Sequence, residues 1–217
     1  MGSKTIYLLF FLLFIQVDSF SQTEKDNYDI YRMVIKEHFG FVENEGVNSL
    51  ILIEKHEPGN RVDLDIIDEL QNDTISSWYS QLNVQTYQNN EFIQRVIEDK
   101  NVKFALKSFK DNFFGHPKVD AIKLATNQLH VQTITSRQYE RFFGRKFRKI
   151  DKGWEKIYRK FGTYEIIEFS VINYYQEFAT IYYEVHCGGL CGAGSIVILE
   201  RVNGAWKKLA EINLWMS

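Results

Sequence analysis

The chain has 217 residues, 45% apolar, 15% aromatic and 25% charged, with a formal net charge of −2. That composition can bury a sizeable core and excludes a disordered linker, while the near-neutral balance excludes a dedicated nucleic-acid binder, which carries a strong positive excess. Only Pro58 and Pro117 punctuate it, and no low-complexity segment or internal repeat is visible.

Residues 1–21 read as a secretory signal peptide: Lys4, an unbroken apolar run from Ile6 to Ile15, then Ser19-Phe20-Ser21 as a small-x-small site. The apolar run is about half the roughly twenty residues that span a bilayer. No cysteine stands nearby to carry a lipid anchor. The expectation is an exported protein, periplasmic or extracellular, whose mature part 22–217 is a single α+β domain with no transmembrane segment. Within it, 22–135 is the less regular part and 136–217 a helix followed by a meander.

Along the chain, DNYDIYRMVIKEHF at 26–39 places Tyr31, Val34, Ile35 and His38 at helical spacing, with Gly40 as a stop. SLILIEKHE at 49–57 reads as a strand closed by Pro58-Gly59. Residues 61–88 fit no single pattern, and a helix is expected over 90–100. VKFALKSF at 102–109 and QLHVQTIT at 128–135 both show alternation, and the latter reads as a strand. Thr135 with Gln138 forms a capping box that opens a short helix, SRQYERFF.

From 151 the pattern strengthens. DKGWEKIYRKFG sets Trp154, Ile157, Tyr158 and Phe161 on one helical stripe, expected to be buried, with Gly162 as its cap. Strand signals follow at 163–172, 177–187, 195–202 and 205–215, the last two joined by the hairpin turn Asn203-Gly204. The expected fold is therefore α+β, N-terminal helices followed by a C-terminal four-stranded antiparallel meander. By analogy of fold alone, such a sheet could curve as in cystatin-like or NTF2-like proteins and enclose a pocket.

The densest chemistry lies in HCGGLCGAGS, residues 186–195, which holds both cysteines. It connects two antiparallel strands, so no helix N-terminus is available to bind phosphate, and it matches neither nucleotide-binding glycine pattern. Ser195 in GAGS is not a nucleophile elbow, which needs a strand-to-helix turn. Zinc needs four ligands, or three and water; His186, Cys187 and Cys191 supply three at best, and His186 and Cys187, adjacent on a strand, point apart. Thiol–disulfide exchange usually uses C-x-x-C at a helix N-terminus, and this pair is C-x-x-x-C in a hairpin. A disulfide between Cys187 and Cys191, stapling the loop, is the expectation in an oxidising compartment.

His38, His56, His116, His130 and His186 are scattered and fit no metal motif. Asp63, Asp65, Asp68 and Glu69 lack the spacing of a calcium loop and read as a solvated face. Asn72-Asp73-Thr74 is a formal glycosylation sequon. A candidate anion-binding patch runs through Arg145, Lys146, Arg148, Lys149, Lys152, Lys156, Arg159 and Lys160, with interleaved aromatics. The competing reading, a helix with a buried aromatic stripe and a solvated basic face, is preferred. No motif points to a cofactor or a metal, and no catalytic residue is assigned.

Gly153-Trp154 to Phe161, then Cys187-Gly188-Gly189-Leu190-Cys191-Gly192-Ala193-Gly194, then Asn203-Gly204-Ala205-Trp206-Lys207 through Trp215-Met216-Ser217, together form a combination over the last third of the chain. It resembles uncharacterised secreted or lipoprotein families of Bacteroidetes-type bacteria. The resemblance implies an exported bacterial envelope protein with one α+β unit ending in a sheet, and it carries no function. The expected role is a non-enzymatic binding or interaction module for a small molecule, a glycan or an envelope protein. The alternative is an envelope enzyme, a thiol–disulfide oxidoreductase or a hydrolase.

Overall fold

The structure, a computed structural model, describes residues 24–40, 48–54, 64–65, 67–68, 95, 98–113, 117–143 and 150–217. Five helices are assigned within them: α1 (Glu24–Phe39), α2 (Lys100–Asn112), α3 (Ala121–Leu124), α4 (Ser136–Phe143) and α5 (Ile150–Phe161). The strands are β1 (Asn48–Ile53), β2 (Leu129–Ile134), β3 (Ile166–Phe169), β4 (Asn173–Tyr175), β5 (Phe178–His186), β6 (Gly192–Val202) and β7 (Ala205–Met216). No helix among the described residues is long and apolar enough to cross a membrane.

The fold is α+β, but the sheet has seven strands rather than four, in the order β2-β1-β3-β5-β6-β7 with β4 also paired to β5. β1 runs parallel to both β2 and β3, whereas every pairing from β3 onward is antiparallel. The meander is therefore one flank of a mixed sheet. Two of the extra strands, β1 and β2, precede the meander, and their pairing joins segments too distant for local pattern to predict; the third, β4, comes from a break in the stretch 163–172.

Both faces of the sheet are covered. On the front face, α1 presents Ile30, Tyr31, Val34 and Ile35 to Leu50, Leu52, Ile167, Ile181, Tyr183 and Val197. On the back face, α2 covers the β5–β7 side through Leu106, Phe109 and Phe113. Helices α4 and α5 cover the β1–β3 side through Phe143, Trp154 and Ile157. At about 25 cal/mol per Å² of apolar surface, burial on two faces is the main stabilising term. A strand buried on both faces reads as a continuous apolar run, which is why NSLILI carries four buried residues in succession.

Several local expectations meet their observed forms here. Thr135 Oγ1 accepts the Gln138 amide at 3.2 Å and Gln138 Oε1 accepts the Thr135 amide at 2.9 Å, a reciprocal cap on α4. Asn203 and Gly204 take φ of 54° and 79° at the β6–β7 turn. In contrast, the alternating 102–109 stretch is helical. Asp99 caps it by accepting the Asn101 amide at 2.8 Å, and Val102, Ala105, Leu106 and Phe109 form its buried stripe.

The single strand expected over 163–172 is broken. After β3, Ser170 accepts the Tyr182 amide through its side-chain oxygen at 2.9 Å, so the chain leaves the ladder before re-entering as β4. The stripe expected on α5 is narrower too. Trp154 and Ile157 are buried, but Tyr158 is 50% exposed and stacks on Tyr164 outside the core. Of the expected helix over 90–100, only Arg95 and residues 98–100 are described, and most of 61–88 lies outside the described residues.

Candidate functional site

The two ends of β5 carry the polar and aromatic constellations of the molecule. At the His186 end, Cys187 and Cys191 form a disulfide, with Cα atoms 5.1 Å apart. The Cys187 amide donates to Cys191 O at 2.8 Å, closing the turn, and Gly188 sits at φ +138°, where side chains are rarely found. The loop is shorter than expected, because Gly192, Ala193 and Gly194 already belong to β6.

These strand glycines have a packing reason. A Cβ on Gly194 would lie 2.1 Å from Trp215 Nε1 and 2.4 Å from Tyr182 Oη. Trp215 reaches that position through a bulge: Gly194 pairs with Trp215 but Ser195 pairs with Asn213, leaving Leu214 as the extra residue. The indole N–H of Trp215 donates to Tyr182 Oη at 2.9 Å, and Tyr182 donates to Glu184 Oε1 at 2.7 Å. Glu184 Oε2 in turn lies 3.6 Å from His186 Nε2. Burial first, then the Glu184 carboxylate, raises the Tyr182 pKa, so the phenol stays a donor. The His186 ring stands between Tyr139 and Trp215, with centroids 5.7 and 5.9 Å away.

On the front face near the same end, Tyr183 donates to Glu211 Oε1 at 2.5 Å, and its hydroxyl lies 3.3 Å from His38 Nδ1. Lys208 bridges Glu37 and Glu211 at 2.6 and 3.1 Å. Ser195 donates to Asn213 Oδ1 at 2.6 Å. Both networks tie strands and helix together. Cys187 and Cys191 stand in a hairpin turn that leads into β6, with no helix N-terminus to lower a thiol pKa.

At the opposite end, the break between β3 and β4 leaves a cavity of about 360 Å³ on the front face. Glu24, Asn27, Tyr28 and Tyr31 of α1 form one wall, Val171, Ile172 and Tyr174 the other, and Pro117 with Lys118 closes the side. Tyr174 donates to Asn27 Oδ1 at 2.6 Å, and Tyr28 Oη accepts the Asp120 amide at 2.8 Å. Behind the wall, Trp206 packs on Tyr174 with centroids 5.6 Å apart and donates to Asp26 Oδ1 at 3.1 Å. Arg201 pairs with Asp26 at 2.9 Å and lies over the Trp206 ring. Burial raises the pKa of both Tyr31 and Tyr174, so these two phenols are neutral.

The basic stretch divides. Arg145, Lys146, Arg148 and Lys149 lie outside the described residues, while Lys152, Lys156, Arg159 and Lys160 are exposed on α5. Arg159 pairs with Glu155, and Lys160 lies 4.8 Å from the Phe161 ring centroid. Asp65 and Asp68 both pair with Lys110, and His130 is exposed on β2. His56 and His116 fall outside the described residues, as does the Asn72 sequon. Among the described residues no cluster of three or more His, Cys, Asp or Glu could hold a metal ion.

Sequence reasoning missed the cavity residues. Tyr28 and Tyr31 stand three apart on one helix, which is a visible signal, but Tyr174 is more than a hundred residues away and nothing local links them. No protein-family model, curated protein or solved structure matches the chain.

Proposed function

We propose that this chain is an exported binding module whose ligand site is the tyrosine-walled cavity between α1 and β4. One observation carries the reading: a preformed concavity of about 360 Å³ with aromatic walls and converging polar groups. That volume lies at the lower end of the roughly 300–1,000 Å³ typical of small-molecule sites. The disulfide is the staple of a tight hairpin rather than an exchange site. Its hairpin placement and the packed glycines beside it support that reading. Export is supported by the N-terminal sequence pattern and by a disulfide suited to an oxidising compartment.

A thermal-shift screen of small molecules against the parent and a cavity-filled Val171→Trp variant tests the proposal. Ligand at a hundred times its Kd stabilises a protein by about 2.7 kcal/mol, so compounds should raise the parent's Tm by several degrees and leave the filled variant unmoved. A screen in which no compound stabilises the parent, or in which both proteins respond alike, would sink the assignment.

A further inference from the structure

We infer that the cavity takes a neutral polyhydroxylated ligand, about the size of a monosaccharide unit; this rests on the binding reading above and names its ligand class. The first argument is the unused hydrogen-bonding capacity of the wall. Tyr31 lines the cavity, and its hydroxyl has no hydrogen-bond partner among the described residues. That hydroxyl is free to pair with a ligand hydroxyl in place of water. Tyr28 Oη accepts the Asp120 amide and keeps its own proton to donate. Tyr174 spends its proton on Asn27 Oδ1, leaving lone pairs to accept and the Asn27 amide N–H groups to donate.

The cavity lining therefore offers both donors and acceptors. A carboxylate only accepts and an ammonium only donates, whereas an alcohol does both. Several adjacent alcohols match this wall best. Val171 and Ile172, on the same wall as Tyr174, offer a C–H face an apolar surface.

Charge counts against an organic cation. An aromatic cage for an organic cation needs open ring faces, but Arg32 and Lys123 already lie 5.9 and 6.0 Å from the Tyr28 centroid and would repel a second cation. The benzoate arm of the test decides on anions, since Arg201 pairs with Asp26 behind Tyr174 and Lys118 lines the side of the cavity. At the rim, Glu24 is paired with Lys123.

The test titrates the full mature chain with glucose, galactose, maltose and cellobiose, and separately with choline and benzoate. The readouts are Trp206 fluorescence, through its contact with Tyr174, and the NMR signals of the Asn27 side-chain amide. At least one neutral sugar should shift both, and Tyr31→Phe should weaken it by about tenfold, the equivalent of roughly 1.4 kcal/mol, with Tm unchanged. Binding of choline or benzoate without any sugar overturns the inference and leaves the cavity reading standing. Failure of every probe overturns both. A sugar held equally well by the parent and Tyr31→Phe places it elsewhere and overturns the inference.

Discussion

The two ends of β5 are built in opposite ways. At the His186 end the side chains fill all the room: Trp215 lies so close over Gly194 that no Cβ fits, and a disulfide closes the turn beyond. At the Phe178 end the neighbouring strand breaks at Ser170, and the gap between β3 and β4 stays open as the cavity under α1. The stretch richest in unusual residues is thus the more tightly packed, and the concave surface is made from ordinary tyrosines. Glycine and cysteine density marks a geometric demand as readily as a reactive one.

This contrast can be attacked from either end. The largest effect is expected from Gly194→Ala, which drives a methyl group into two rings held by hydrogen bonds and should destabilise by about 2–3 kcal/mol. Denaturant midpoints would show it, and a variant as stable as the parent would mean the tight end can give. Next comes removal of the staple. Replacing Cys187 and Cys191 by alanine should lose about 2 kcal/mol, the chain-entropy cost for so short a ring. A much larger loss would mean that the loop also organises the Trp215 network. At the open end, Tyr31→Phe removes a hydroxyl that holds nothing, so its melting behaviour should stay within roughly 0.5 kcal/mol of the parent.

The smallest effect should come from pH. Burial, opposed by the Glu211 carboxylate, lowers the His38 pKa from its ordinary value of 6.5. Between the folded and unfolded values the unfolded chain binds the extra proton, so stability should fall as pH drops from above 6.5 through the lowered value. His38 keeps an exposed edge, and water damps the change. His38→Gln should flatten the slope of Tm against pH in that window; an unaltered slope would assign it to other groups.

Features written within a few residues were legible in the sequence. The Thr135–Gln138 cap, the Asn203-Gly204 turn and the α1 stripe each need only neighbours along the chain, and so does the Cys187–Cys191 ring. What was not legible depends on distant partners or on local ties. VKFALKSF supports both periods, and the Asp99 cap with the facing sheet decides for helix. The insertion of β1 between β2 and β3 joins residues 48–53 to 129–134 and 166–167, which no local pattern encodes. The cavity depends on the same long-range closure, since its two walls come from opposite halves of the chain.

The bulges of β7 reach beyond the site they shape. Among the described residues, β7 is an outer strand of the sheet and, at twelve residues, its longest. A flat outer strand of that length offers its free amides and carbonyls as a template on which another chain can grow. Register shifts beside Leu209 and Leu214 interrupt that template twice, and Lys207 and Lys208 add charge along it. The irregularity that seats Trp215 over Gly194 therefore also breaks the regular edge on which a further strand would pair.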